Sequence, residues 1–234
     1  MPEIPASEAG LDRSFFWRRL HSLSGVFPVG AFLLEHLYTN AYAIRGPDAY
    51  NQKVRGLTEI PLLLLVETVF IYIPIAYHAL YGLWIWWRGE GNLTRYPWAG
   101  NWLYTLQRWT GLVALLYIGF HVWEQRFSGT PIIENYFVTF SKVQHSIARP
   151  AVLVFYVAGL LAACFHFAYG LWLFACKWGL LPGRGAQKKL RWACAALFLA
   201  MSGVGLWSLY SFSSTPRQPR PEELVRIRQQ AALP

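Results

Sequence analysis

Apolar residues along this chain come in long blocks, with no strand-like alternation. Runs of roughly 20 to 28 mostly apolar residues are separated by short basic or Pro/Gly-rich stretches. A bilayer core about 30 Å thick takes about 20 helical residues to cross. The blocks therefore predict membrane-spanning helices I to V over 20–44, 60–87, 103–126, 148–177 and 190–211. The expected architecture is an all-α polytopic membrane protein whose helices I–IV form a bundle. Residues 1–19 would be a cytoplasmic N-terminal segment and 20–211 the five-helix domain. Residues 212–234 read as a polar, proline-interrupted tail with room for one short helix.

Composition sharpens this. Of 234 residues, 55% are hydrophobic, 17% aromatic and only 14% charged, where a soluble domain carries about a quarter charged. Tryptophans 84, 86, 87, 98, 102 and 109 gather near the expected helix ends, as interfacial belts do. Eleven Lys and Arg fall on the side of the N-terminus, against six in the opposite loops and four in the tail. The positive-inside rule then puts the N-terminus in the cytoplasm, in a cell's inner membrane. Glu3, Glu8 and Asp12 occupy the stretch where a secretory signal would be basic and then apolar, so no signal peptide is expected. Cys164, Cys176 and Cys194 all sit in apolar runs with no C-x-x-C spacing, which argues against zinc and against covalently attached haem. The basic surplus suits lipid headgroups, and no nucleic-acid partner is expected.

The chemistry lies in the histidines. His36, His78, His121 and His166 fall one per helix on helices I to IV, at intervals of 42, 43 and 45 residues. Ionisable side chains inside a bilayer cost about 2.5 kcal/mol or more and are functional candidates by default. At about 1.5 Å per residue, His36 and His121 fall in the outer half of the membrane and His78 and His166 in the inner half. Two imidazoles at one depth, on different helices and without nearby thiolate or carboxylate donors, suit axial ligation of haem iron. Two such levels suit two b-type haems.

An internal repeat supports the inner level. The stretch His78-Ala-Leu-Tyr81-Gly82-Leu83-Trp84 recurs as His166-Phe-Ala-Tyr169-Gly170-Leu171-Trp172. Gly82 and Gly170 follow their histidines by one turn, on the same face, where a missing side chain would make room for a flat macrocycle. A small residue for close helix contact is the plainer alternative. Pro74 cannot donate to the Phe70 carbonyl and is expected to kink helix II. The acids near the spans, Glu35, Glu59, Glu67 and Glu124, all belong to the outer half or its edge. Quinone reduction takes up two protons with two electrons, so Glu67 and Glu124 are candidates for an outer quinone site. Paired structural carboxyls are the alternative. His21 and Arg19 are candidates for contacting the propionates of the inner haem, and His145 reads as an outer-loop histidine.

These stretches resemble a known family. The segments "RRLHSLSGVFPVGAFLLEHLYTNA", "LTEIPLLLLVETVFIYIPIAYHALYGLWI", "LQRWTGLVALLYIGFHVWEQR" and "FHFAYGLWLFACKWG" look like the di-haem, five-helix cytochrome b anchors of succinate dehydrogenases and fumarate reductases. The similarity covers about residues 14 to 211, including the R-x-x-H start at Arg18 and the Q-R-x-T-G stretch from Gln107. The resemblance implies partnership with a flavoprotein and an iron–sulfur subunit on the inner face. Electrons would reach the inner haem (His78, His166), then the outer haem (His36, His121), then a quinone, typically menaquinone. The resemblance also adds Glu59 to the candidates for the outer quinone site. It implies membership of an enzyme complex whose flavin and dicarboxylate sites lie in other chains. Some related fumarate reductases carry a glutamate two residues before the fourth ligand; Cys164 stands there, which favours the succinate-oxidising direction. Two other readings remain: a stand-alone di-haem carrier of cytochrome b561 type, and a haem-free anchor or transporter whose histidines relay protons.

Overall fold

The computed structural model describes the backbone of residues 6–89 and 93–232, and side chains from Ser14 onward in those ranges. Residues 1–5 of the expected N-terminal segment and the last two residues of the tail lie outside the described residues. Within them the chain forms helices and turns with no strand.

Proline shapes the first two spans. The single helix expected over 20–44 is two: α1 (Ala6–Val26) and α2 (Val29–Ala41), separated at Phe27–Pro28, whose peptide bond is cis. Pro28 has no amide hydrogen to offer the turn before it, so α1 stops there. The helix also starts fourteen residues earlier than the apolar block, because the polar stretch before it is helical too. In the second span, α4 (Leu63–Glu67) leads through a π-helical turn (Thr68–Tyr72) into α5 (Ile73–Arg88). The wider turn lies directly before Pro74, where the bond to Phe70 is lost, and such bulges commonly accompany helix distortion. Helix α6 (Ala99–Val122) likewise ends in a π-helical turn, Trp123–Phe127.

The last two spans are uninterrupted, α8 (Pro150–Lys177) and α9 (Arg184–Ser214). Among the described residues, three helical runs are long and apolar enough to cross a membrane: Leu63–Arg88, Pro150–Lys177 and Arg184–Ser214. Helix α6 is 24 residues long but carries Asn101, Gln107 and Arg108 along its length. The first is divided at Pro28.

Three helices absent from the apolar pattern gather at one end of the bundle, named the outer end. They are α3 (Pro47–Thr58), α7 (Thr139–Ile147) and α10 (Pro221–Ala231). The main buried cluster lies there: Tyr50 and Val54 of α3, Phe140, Val143 and Ile147 of α7, Tyr156 of α8 and Phe212 of α9. A second cluster, Leu37, Leu160, Cys164 and Met201, joins α2, α8 and α9. Helix α6 packs closely on α8: a Cβ at Gly159 would fall 2.0 Å from the Tyr117 ring. By contrast α5 buries none of its residues and rests mainly on α1. Its exposed Ile73, Leu80 and Trp87 are suited to lipid.

Polar side chains fasten the outer cap. Asn51 of α3 donates to the Phe137 carbonyl (2.8 Å) and accepts from the Phe140 amide (2.9 Å). Gln144, 4% exposed, donates to the carbonyls of Phe212 (3.1 Å) and Thr215 (2.9 Å) and accepts from the Gln218 amide (2.8 Å). It thus satisfies carbonyls that end α9 and would otherwise be left over. The tail is folded back by these contacts, with Arg228 of α10 stacked 4.4 Å from the Phe137 ring centre. Replacing Gln144 with Leu leaves buried main-chain groups unpaired, at about 1–3 kcal/mol each. The expected outcome is a lower unfolding temperature in detergent and faster proteolysis after Ser214, both measurable on the purified protein.

Candidate functional site: two pairs of histidines

The structure brings the four intramembrane histidines together as two pairs. The rings of His36 on α2 and His121 on α6 have centres 5.6 Å apart at an interplanar angle of 75°. Those of His78 on α5 and His166 on α8 are 6.1 Å apart at 83°. Each pair joins helices far apart in sequence. Two imidazoles sharing a metal at about 2 Å per bond have ring centres roughly 6 Å apart, so both separations suit a shared iron. Among the described residues no third histidine, cysteine or carboxylate joins either pair into a metal-binding cluster.

The inner pair is built by a device used twice. His78 Nδ1 lies 3.0 Å from the main-chain carbonyl of His21, and His166 Nδ1 lies 2.9 Å from that of Gln107. A carbonyl only accepts, so Nδ1 carries the hydrogen in both rings and Nε2 keeps its lone pair for a metal. Four residues beyond each carbonyl stands a glycine against which the ring lies. A Cβ at Gly25 would be 2.4 Å from His78 Cε1, and one at Gly111 would be 2.7 Å from His166 Cε1. Ser24 Oγ donates to the His21 carbonyl (2.9 Å) and lies 3.4 Å from His78 Nδ1, so it meets that ring as an acceptor. Gln107 grips α8 a second time, its Nε2 donating to the His166 carbonyl at 3.0 Å.

Gly82 and Gly170 do border this site, through residues other than their own histidines. A Cβ at Gly82 would meet His21 Cε1 at 3.1 Å, and one at Gly170 would meet Gln107 Nε2 at 3.2 Å. His21 stacks on His78, ring centres 4.1 Å apart and nearly parallel at 14°, and its Nδ1 is buried with no hydrogen-bond partner among the described residues. Arg19 points elsewhere: its guanidinium lies 4.8 Å from the Phe15 ring centre and 4.9 Å from that of Trp178.

The outer pair has a side-chain support. His121 Nδ1 lies 3.2 Å from the Tyr156 hydroxyl, which also accepts from Gln125 Nε2 at 3.1 Å. Phe32 stacks on His36, ring centres 5.4 Å apart.

The candidate quinone-site acids divide. Glu67 and Arg126 form a half-buried ion pair at 2.7 Å. Glu124 accepts from Ser146 (2.7 Å) and pairs with Arg149. The ammonium of Lys142 lies in the electrostatic reach of Glu124 and Arg126 and donates to the carbonyls of Ser128 and Thr130. Burial pulls its pKa below the ordinary lysine value. Glu59 is apart from this group, exposed at the end of α3 and bonded to Arg55 one turn earlier at 2.7 Å. His145, read as a loop histidine, is on α7, its Nε2 2.9 Å from the Gln218 carbonyl.

Sequence reasoning missed Gly25, Gly111, Gln107 and Tyr156. The linear signal for the first three is a shared four-residue interval, His21 to Gly25 directly after the R-x-x-H start and Gln107 to Gly111 spanning the Q-R-x-T-G stretch. Tyr156 precedes His166 by ten residues on a helix already crowded with aromatics, and nothing in the linear pattern marks it.

Residues 90–209 match the family described as the succinate dehydrogenase/fumarate reductase transmembrane subunit. The chain is also 38% identical over 201 residues to the succinate dehydrogenase cytochrome b558 subunit of Bacillus subtilis (strain 168), covering 86% of this chain and 98% of that protein. The apolar helices agree with both comparisons: the chain belongs to the family of succinate dehydrogenase/fumarate reductase transmembrane subunits.

Proposed function

We propose that this membrane-anchor subunit crosses the bilayer five times with its N-terminus inside, holds two b haems, and serves electron transfer to a quinone, with menaquinone as the expected species. When bound, the haems supply one-electron transfer between an iron–sulfur partner on the inner face and the quinone. The single observation that carries the reading is that four histidines on four helical spans close into two pairs of haem-suited separation.

The residues have distinct work. His78 and His166 would hold the inner iron, and the carbonyls of His21 and Gln107 fix their tautomers and ring planes. His36 and His121 would hold the outer iron. Gly25 and Gly111 keep the inner rings close to the neighbouring helices, so each Nε2 stays in place without a covalent tether. The same contacts support five crossings. His21 on α1 stacks at the inner pair and His36 on α2 joins the outer pair, so α1 and α2 together run past both levels. Helix α6, at about 1.5 Å per residue, is about 36 Å long and exceeds the hydrocarbon thickness.

On the outer side Glu67 and Glu124 are the carboxylates placed to hold or release protons for a quinone, each steadied by an arginine. Glu59, at the end of α3, is bound to Arg55 and is the more distant member of the acids assigned to the quinone site. The succinate-oxidising direction is the one favoured by Cys164, buried two residues before His166, which offers no carboxylate there. The partners are a flavoprotein and an iron–sulfur subunit, with lipid around the apolar faces.

The test is haem content. The purified protein, with the subunits that accompany it, is expected to carry two b-type haems per chain in a dithionite-reduced-minus-oxidised spectrum. His78→Ala or His166→Ala should lose one haem and leave the other, and His36→Ala or His121→Ala should lose the complementary one. A haem-free preparation, or the loss of the same haem from all four variants, would overturn the proposal.

Gly111→Ala provides an independent check. Its added methyl group would stand 2.7 Å from His166 Cε1, well inside contact distance, and overpacking of this kind costs about 1–3 kcal/mol. The expected result is weakened or altered ligation of the inner haem alone, read as a changed low-temperature EPR signal with the outer haem intact.

A further inference from the structure

Between α7, the first turn of α8 and the end of α9 lies a cleft of about 350 Å³. Ile147 and Leu153 supply its apolar wall, and Gln144, Ser213, Thr215 and Arg217 its polar one. The volume is within the range that holds small ligands. The cleft opens where the two uninterrupted spans meet the edge of the membrane, since α8 begins at Pro150 and α9 ends at Ser214. Tyr210 and Leu206, one and two turns before Ser213, are exposed and carry the same face of α9 into the span.

The polar wall has one donor to spare. Ser213 gives its hydroxyl hydrogen to the Leu209 carbonyl (3.0 Å) and Thr215 gives its own to that of Ser211 (2.7 Å), so both oxygens can only accept. Gln144 spends its amide on the main chain around it. Arg217 has no ion pair among the described residues, and no carboxylate stands with it in the lining. It is also held in place. Gln144 donates to the Thr215 carbonyl on one side of it and accepts from the Gln218 amide on the other. His145 Nε2 meets the Gln218 carbonyl at 2.9 Å. A free arginine thus sits between two anchored residues at the mouth of an amphipathic cleft.

We propose that this cleft binds the phosphate of an outer-leaflet phospholipid, with Arg217 as its donor and an acyl chain lying along Leu206 and Tyr210 of α9. Three requirements select that class of ligand. The unpaired guanidinium calls for an anion, and its planar fork matches two oxygens of a phosphate. The wall of Ile147 and Leu153, with the exposed α9 face below it, calls for a hydrocarbon tail on the same molecule. The cleft lies at the ends of two spans, which is the depth at which the hydrocarbon core gives way to headgroups. A quinone meets the second requirement but brings no negative charge to the arginine. None of the four paired histidines lines the cleft. The choice of leaflet rests on the N-terminus being inside; the site itself rests on neither haem nor quinone.

The experiment is lipid binding to the purified complex after depletion of lipid in detergent, read by native mass spectrometry and by the rise in unfolding temperature. The probes are dioleoyl phosphatidylglycerol, dioleoylglycerol, inorganic phosphate and a naphthoquinone with an isoprenoid tail. Wild type is expected to bind phosphatidylglycerol and to gain unfolding temperature with its concentration. Arg217→Gln should weaken that binding about fivefold, the worth of one arginine at an anionic surface, and unfold as wild type does without lipid. Arg217→Lys should fall between the two, because it keeps the charge and loses the fork. Ala148→Glu, which sets a carboxylate in the lining, should weaken binding at least as much as Arg217→Gln. Arg226→Gln removes the same charge from the exposed side of α10, outside the cleft, and should bind as wild type does. Wild-type binding by Arg217→Gln, or an equal loss in Arg226→Gln, would overturn the proposal. So would inorganic phosphate protecting as well as phosphatidylglycerol, which would make the ligand a free anion, or tighter binding of dioleoylglycerol or the naphthoquinone.

Discussion

An imidazole inside a bilayer must place both of its nitrogens, and the packing of this protein follows from where the first nitrogen of each inner ring goes. His78 gives Nδ1–H to the His21 carbonyl of α1, and His166 gives it to the Gln107 carbonyl of α6. A carbonyl within a helix already accepts from the amide one turn later, so a second donor must approach its outer side closely. That approach is open only where the next turn carries no side chain, which is why glycine stands at positions 25 and 111. The same bonds fix which helices are neighbours: α5 rests on α1, and α8 lies along α6. Helix α5 has no buried residue of its own, so its place in the bundle depends on this polar contact more than on apolar packing. Arg108 adds to it by donating to the carbonyls of Trp86 and Gly89 at the end of α5.

The outer end solves a different problem. Between lipid-facing helices there is little hydrophobic drive to associate, since lipid is as apolar as the side chains it would replace. Water returns at the membrane edge, and there the chain builds an ordinary core from Tyr50, Phe140, Ile147, Tyr156 and Phe212. Two short helices, α3 and α7, complete it on α8 and α9: Asn51 ties α3 to the start of α7, and Gln144 ties α7 to the end of α9, both through main-chain groups. Tyr156 belongs to both regions. Its ring packs in the outer core and its hydroxyl reaches His121, so the rigidity of the cap is transmitted to one imidazole in the span.

Much of this was legible in linear form, and the rest fails for identifiable reasons. The 42- to 45-residue spacing of His36, His78, His121 and His166, with depth counted along the helices, predicts the pairs that the structure brings together. Spacing works here because helices cross a slab of fixed thickness, which converts residue number into depth. The break at Pro28 was not legible from apolar blocks, since hydropathy is blind to a missing amide hydrogen. Helices α3 and α7 were hidden because they obey a soluble pattern inside a sequence read for membrane spans. Gly82 and Gly170 illustrate a subtler limit. Their spacing from His78 and His166 is real, yet the groups beside them are His21 and Gln107, on other helices. Same-helix periodicity cannot report what a partner helix presents.

Charge completes the asymmetry between the two ends. Among the described residues the four ion pairs, Lys53–Glu35, Arg55–Glu59, Arg126–Glu67 and Arg149–Glu124, are all at the outer end. Glu35, Glu59, Glu67 and Glu124 are each held by a base, which offsets much of the outer charge. The opposite end has Arg18, Arg88, Arg184, Lys188, Lys189 and Arg191 with no carboxylate bound to any of them in these pairs. The net charge of +9 is thus concentrated on one side. A concentration of that kind retains one face against translocation and raises the local density of anionic headgroups or acidic partner surfaces there. The two ends of the bundle thus differ in kind, one carrying unpaired basic side chains and the other ion pairs, with Glu67 and Glu124 the two paired acids that are mostly buried.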